Sequence, residues 1–352
     1  MTRRSLQSVQ LAVVATAALS LLAWDAATSI AQAKVDGPEV NWRFSTWGKR
    51  RAFTEGPELI AKRLAEETGG KFTMKIFYGE TLSKSKEHLD GLKINAFDAG
   101  TFCNFYSPGK NPAFMVFSLP FLPLADFKVS AYVRNKLFEH PALKADMDRW
   151  NAIAYMSTLL PQYEFLGKGK PPLKLEDWKG MRVRAGGGIG EAMEKLGATK
   201  MTVTAVEIYT TMQRGAMDAV SLPFTYAHQS YKTPEISSWY TSNLAPGTSE
   251  CPITFNKTSY NKLPPQYKKL LEDLRPEVNA VYFKVYDAAD KKNLPMFEKK
   301  MQKIVYTEAE LERFHKIAGK PVWDEWVAKN KDQFDAQGVL DAVFTLAKEA
   351  KQ

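Results

Sequence analysis

Two α/β lobes joined by a hinge and followed by long C-terminal helices are the fold class predicted for this 352-residue chain. Three observations carry the prediction. Residues 40–105 alternate strand-like and helix-like patterns in the order β-α-β-α-β, residues 181–224 repeat that order, and from Pro264 onward the pattern is almost wholly helical. Sheets of this kind bind ligands at the carboxyl ends of their strands, so two facing lobes place a ligand in the cleft between them. The expected division puts residues 34–160 with about 249–285 in lobe I, and 161–248 with the helices of about 286–352 in lobe II.

The elements are read in chain order. "EVNWRFSTW" alternates as a strand, "GPELIAKRLAEETGGK" carries apolar residues at helical spacing and stops at its glycine pair, and "FTMKIFY" alternates again. "SKEHLDGLKINA" reads as a helix and "FDAGTFCNF" as a third strand, the start of a doubly wound sheet. A Pro-rich apolar loop, helices to about residue 150 and the strand "NAIAYMSTL" complete the first unit. In the second, "MRVRA", "TKMTV" and "MDAVSLPF" are strands separated by the helices "GIGEAMEKLGA" and "AVEIYTTMQRGA". "CPITFN" (251–256) reads as a strand returning to the first lobe.

The first 33 residues have the layout of a secretory signal peptide: "MTRR", the apolar "LAVVATAALSLLAW", and the small-x-small site "AQA", so the mature chain is expected to begin near Lys34 in the periplasm. The apolar run is short for a membrane span, which needs about 20 residues. The net charge of +9 becomes +8 once Arg3, Arg4 and Asp25 are removed. Short basic runs such as "KRR" (49–51) read as solvated surface, and no basic stripe carries the interleaved aromatics of a nucleic-acid binder. Cys103 and Cys251 lie in apolar runs and are read as small buried hydrophobes, although an oxidising compartment also permits their pairing.

Motifs of catalysis are scarce. His88, His140, His228 and His315 show no metal-ligand spacing, and neither a G-x-S-x-G elbow nor a Walker A sequence occurs. No cofactor is expected. "GGGIG" (186–190) fits no frame of the dinucleotide fingerprint G-x-G-x-x-G. It follows a strand ending at Arg184 and opens a helix, an arrangement that favours an anion. Arg182 and Arg184 share a strand face, but only Arg184 reaches the carboxyl end, where a planar guanidinium matches a carboxylate. Spacing alone leaves an interdomain salt bridge equally open for Arg184.

The segment "DWKGMRVRAGGG…LGATKMTVTAVEIYTTMQRGAMDAVSLP" resembles the core of the solute-binding proteins of tripartite ATP-independent periplasmic (TRAP) transporters, through Asp177, Lys179, Gly180, Arg184, Leu196, Gly197, Ala198, Glu207, Ile208, Tyr209, Gly215, Asp218 and Pro223. "YGETL…LDGLKINAFDAG" and "FSLPFL" look like its first-lobe segments. The resemblance, from about residue 41 to past 260, implies a periplasmic-binding-protein clamshell with a long helix spanning both lobes. It further implies an organic acid whose carboxylate pairs with Arg184, and membrane permease subunits as partners. Many relatives carry Asn where Leu222 stands, and some sugar-acid binders carry a further arginine where "QYEFLGKGK" places Glu164, with Lys168 or Lys170 as substitutes.

The segments expected to face the cleft are aromatic or apolar: Trp47, Phe102, Cys103, Phe105, Tyr106, Leu222, Phe224 and Tyr226, with Asn104, Tyr106 and Tyr226 available to orient a hydroxyl. No second fixed cation for a dicarboxylate stands out. The expected ligand is therefore an aromatic or apolar monocarboxylate, ahead of a C4-dicarboxylate or keto acid. An exported hydrolase using Cys103 or a serine with His228, and an ABC-type receptor, are the competing readings.

Overall fold

The computed structural model describes residues 34–352; the signal peptide reading lies outside them. Sheet A contains β1 (Val40–Ser45), β2 (Phe72–Phe77), β3 (Ala99–Thr101) and β4 (Ala152–Met156), with helices α1 (Glu55–Glu67), α2 (His88–Lys93), α3 (Phe127–Leu137) and α4 (Pro141–Asp148) in the same stretch of chain. Sheet B contains β5 (Tyr163–Gly167), β6 (Arg182–Arg184), β7 (Thr199–Met201), β8 (Ala219–Pro223) and β9 (Trp239–Thr241), interleaved with α5 (Gly187–Lys195), α6 (Ile208–Gln213) and α7 (Tyr226–Ser230). The chain returns to sheet A as β10 (Ile253–Asn256) and continues through α8 (Lys257–Asn261) into the 36-residue α9 (Pro265–Lys300), a rod about 54 Å long at 1.5 Å per residue. β11 (Gln302–Ile304) and helices α10 (Glu308–Ala318), α11 (Lys320–Asn330) and α12 (Ala336–Glu349) follow.

The strand orders are β2-β1-β3-β10-β4 and β11-β9-β5-β8-β6-β7. The expected doubly wound sheets are thus mixed. β10 runs antiparallel to β3 and β4, and β5 runs antiparallel to β8 and β9, while the other pairings are parallel. Both antiparallel strands are those entered directly from the other sheet, without a crossover helix to reverse direction. β5, β9 and β11 escape sequence reading: β9 and β11 are three residues long, and β5, buried at every position, shows no alternation.

The two connecting segments lie side by side. Tyr163 N donates to Gly247 O at 2.8 Å, Thr158 Oγ1 to Cys251 O at 2.9 Å and Thr248 Oγ1 to Leu160 O at 2.9 Å. Helix α9 spans the same divide: Tyr267 Oη donates to Pro38 O and Tyr282 Oη to Phe53 O in the first lobe, Tyr286 Oη to Thr158 O in the connection, and Asp290 accepts from Thr225 N in the second lobe. The last helices serve both lobes: α10 and α11 lie against α5, whereas α12 packs on α3.

A buried ion pair anchors the connection. Arg134 on α3 pairs with Glu250, both fully buried, and its Nη1 also donates to Ser249 O at 3.0 Å. Ser157 Oγ, from the other connecting segment, donates to Glu250 Oε2 at 2.9 Å. Removing one partner strands a desolvated charge, so Arg134→Met is expected to cost about 3–5 kcal/mol in urea unfolding. Arg134→Met/Glu250→Gln should recover part of that loss; a single-variant loss below about 1 kcal/mol, the worth of an exposed pair, would contradict the anchor.

Candidate functional site

A narrow cavity with about 30 Å³ of free space lies where the lobes meet. The first lobe contributes Trp47, Arg51, Phe53, Phe105 and Tyr106. The second contributes Tyr163, Arg184, Leu222, Tyr226 and Tyr231, and the connecting segments supply Leu160 and Cys251. No aspartate or glutamate is on its wall. Phe105 and Tyr106 also line a larger outer cleft with Lys86 and Lys200, so these two rings border both spaces.

Arg184 is placed by the surrounding turns. β6 runs parallel between β7 and β8, with Arg184 opposite Met201 and Val220. Gly180 and Gly197, at φ +78° and +80°, shape the turns that bring β6 and β7 into register. Asp218 receives Arg182 Nε at 3.0 Å and Nη2 at 2.6 Å on the exposed side. Thr204 and Glu207 form a reciprocal cap that fixes the 203–207 turn. Arg184, 1% exposed, donates from Nε to Val203 O at 3.1 Å and from Nη1 to Ser221 O at 2.8 Å, and lies over the Phe105 ring at 5.2 Å. Among the described residues no carboxylate pairs with it. Two neutral carbonyls fix the fork in direction and leave its charge without an anion.

The glycine run does something other than cradle an anion. A Cβ on Gly186 would stand 2.0 Å from the Phe105 ring, one on Gly187 2.3 Å from Ser118 Oγ, and one on Gly188 2.6 Å from Ser118 O. The run lets the start of α5 press against the first lobe. Tyr106 Oη accepts from Ala205 N at 3.0 Å, a second bond across the same divide.

Trp47, Cys103, Phe105, Tyr106, Arg184, Leu222 and Tyr226 come together on the wall as expected. Phe102, Asn104, Glu164 and Phe224 do not. Phe102 packs on Phe114, and Asn104 Nδ2 donates to Phe114 O while its Oδ1 accepts from Glu250 N. Phe224 packs between Tyr240 and Phe297. Glu164 accepts from Thr241 Oγ1 at 2.5 Å and Ala245 N at 3.0 Å; burial outweighs these bonds and raises its carboxyl to about 7. Lys168 and Lys170 are spent on Met212 O and Asp177, so neither substitutes for a second cation.

Three features depart from the sequence reading. Cys103 and Cys251 form a disulfide rather than two free buried thiols, linking the turn after β3 to the second connecting segment. With the sulfur bonded, Cys103 offers no nucleophile, and His228 engages Thr233 Oγ1 and Glu164 O through its two nitrogens while burial lowers it to about 3. The hydrolase dyad is absent. Arg51, taken as surface in "KRR", lines the cavity instead, as do Tyr163 and Tyr231; the signal available was its position in the loop at the carboxyl end of β1, four residues after Trp47.

Residues 44–330 match the DctP family, described as bacterial extracellular solute-binding protein, family 7. The chain belongs to this family. It is a solute-binding protein, not an enzyme. A monocarboxylate 2-oxoacid-binding periplasmic protein of Nostoc is 26% identical over 347 residues, covering 92% of this chain and 93% of that protein. A TRAP solute-binding protein from Rhodoferax ferrireducens, in complex with copurified benzoate, has the same fold at TM-score 0.79 and 19% identity, over 89% of this chain and 98% of that one. Another from Desulfovibrio salexigens, with bound orotic acid, matches at 0.79 and 21% identity, over 88% and 99%.

Gly188→Ala tests the glycine contact. The added methyl meets backbone atoms, Ser118 O at 2.6 Å and Leu119 Cα at 2.8 Å, which cannot swing aside. Helix propensity favours alanine by about 1 kcal/mol, so the protein should fold. Ligand affinity should fall by about tenfold or more as the closed arrangement is penalised, with a larger radius of gyration by small-angle scattering in saturating ligand; wild-type values for both would show that the contact is dispensable.

Proposed function

We propose that this exported receptor binds an aromatic or apolar monocarboxylate, with the ligand's carboxylate on Arg184, and presents it to the membrane permease subunits of a TRAP transporter. The observation that carries the reading is a buried guanidinium with no acidic partner among the described residues, on a wall of rings. Residues 1–33 direct the chain to the periplasm in this reading.

Magnitudes favour an apolar body. Micromolar affinity requires about −8 kcal/mol. One charge-assisted contact nets about 1.5–3 kcal/mol, and burying about 150 Å² of ligand surface at roughly 25 cal/mol per Å² adds some 4 kcal/mol. Trp47, Phe53, Phe105, Leu222 and Tyr226 supply that apolar surface. The ligand touches both lobes, and its binding free energy shifts the population towards closure; water then leaves the cavity and the contact to Arg184 strengthens. The closed surface is the form the permease recognises in this reading.

A second reading, a small 2-oxo monocarboxylate, is favoured by the Nostoc relative, a monocarboxylate 2-oxoacid-binding protein, and by the small cavity. Trp47 on the wall makes intrinsic fluorescence a direct reporter of binding. In a panel of benzoate, phenylpropenoates, pyruvate, 2-oxoisovalerate, succinate and malate, the aromatic acids should bind most tightly. Tight binding of succinate or malate with silence from aromatic acids would overturn the first reading, and preference for the 2-oxoacids would establish the second. Arg184→Met should weaken every acid by about 10- to 150-fold with unchanged circular dichroism; unaltered affinity would remove Arg184 from the site.

A further inference from the structure

We infer that Arg51 and Tyr231 form a second polar pole of the cavity, which receives an oxygen acceptor carried by the ligand away from its carboxylate. The inference rests on the Arg184 reading and narrows the ligand class: an aromatic or apolar acid bearing a hydroxyl or carbonyl oxygen on its far side.

Arg51 is fixed by its own loop, with Nη1 donating to Trp47 O and Lys49 O, each at 2.8 Å. Its guanidinium lies 4.7 Å from the Phe53 ring and 5.7 Å from the Tyr231 ring, so the pole straddles the lobes. Among the described residues its Nε and Nη2 hydrogens have no acceptor and no carboxylate pairs with it. Tyr231 Oη is buried and has no hydrogen-bond partner there either, a state a folded protein avoids unless a ligand or water meets the group. Both residues line the cavity.

The arrangement gives the ligand two ends. Arg184 lies over Phe105, Phe105 contacts Tyr106 at 4.9 Å, Tyr106 contacts Trp47 at 5.6 Å, and Arg51 lies 5.9 Å from the Trp47 ring. Two guanidiniums thus terminate a row of three rings on a wall with no acidic residue. Successive rings meet edge to face, at 72° and 68°, and so form walls rather than one platform; a carboxylate matches one end and a second oxygen the other. A plain apolar acid leaves the buried Tyr231 Oη unmet, and an interaction denied to a built polar site lowers affinity more than a lost apolar contact.

The test is calorimetric titration of the purified mature protein, Arg51→Met, Tyr231→Phe and Arg184→Met with benzoate, 3- and 4-hydroxybenzoate and isophthalate. A hydroxybenzoate should bind wild type about tenfold tighter than benzoate. Arg51→Met should abolish that advantage, weakening the hydroxybenzoate about tenfold more than benzoate, and Tyr231→Phe, which removes one oxygen engaged in no bond, should reduce it about threefold or more. Should Arg51→Met fail to fold, Tyr231→Phe alone decides. Equal weakening of benzoate and hydroxybenzoates, or no wild-type preference between them, overturns the pole. Isophthalate binding tightest and losing that rank in Arg51→Met supports the pole and overturns the monocarboxylate reading. Arg184→Met leaving all affinities intact overturns the Arg184 reading, and silence of every aromatic acid overturns both.

Discussion

An arginine buried to 1% exposure without a carboxylate beside it is costly, and the structure around Arg184 exists to hold that charge in place. Carbonyls of Val203 and Ser221 take two of its donors, and the Phe105 ring covers one face. Their dipoles offset part of the desolvation and direct the fork, but they carry no net charge. In the proposed function, the remaining deficit is what an acid from outside meets. The same 203–207 turn that supplies Val203 O also supplies Ala205 N to Tyr106 of the opposite lobe, so the anion site and the interlobe contact share one short, capped piece of backbone.

Closure and cohesion use different groups. The connecting segments are bonded to each other, tied to the first lobe by Arg134–Glu250 and cross-linked to the turn after β3 by Cys103–Cys251. Those contacts lie on the first-lobe side and need not change when the lobes separate. The contacts that would part are the glycine run of α5 against Ser118 and Leu119, and the bond from Ala205 to Tyr106. A hinge of this construction absorbs backbone rotation in a few residues while α9 keeps both lobes on one rod.

Periodicity made β1, α1, β2 and α5 legible, because each has one face in the core and one in water; β8, buried at every position, was legible only through the β-α-β order around it. Signals vanish where that asymmetry is missing: β5 is buried at every position, and β9 and β11 are too short to show a period. Arg184 was legible from its place at a strand's carboxyl end. Arg51 was missed because its basic triplet looks the same whether it meets water or turns one guanidinium inward, although its place just beyond β1, four residues after Trp47, was a signal. The disulfide joins residues 148 positions apart, a proximity no local pattern encodes. The glycine run was read as favouring an anion, whereas it admits close approach of the other lobe, a partner no local pattern names. Glu164 falls where an additional cation was sought and is instead a buried acid bonded to Ala245 at the start of the second connection.

The most direct measurement is a crystal structure of the mature protein with the acid it carries through purification, identified in parallel by native mass spectrometry. The account predicts one organic acid enclosed between the lobes, its carboxylate within hydrogen-bond distance of the Arg184 guanidinium and its body against Trp47 and Phe105. An acid seated elsewhere, or Arg184 turned from the cavity to pair with a protein carboxylate while ligand is bound, would contradict it.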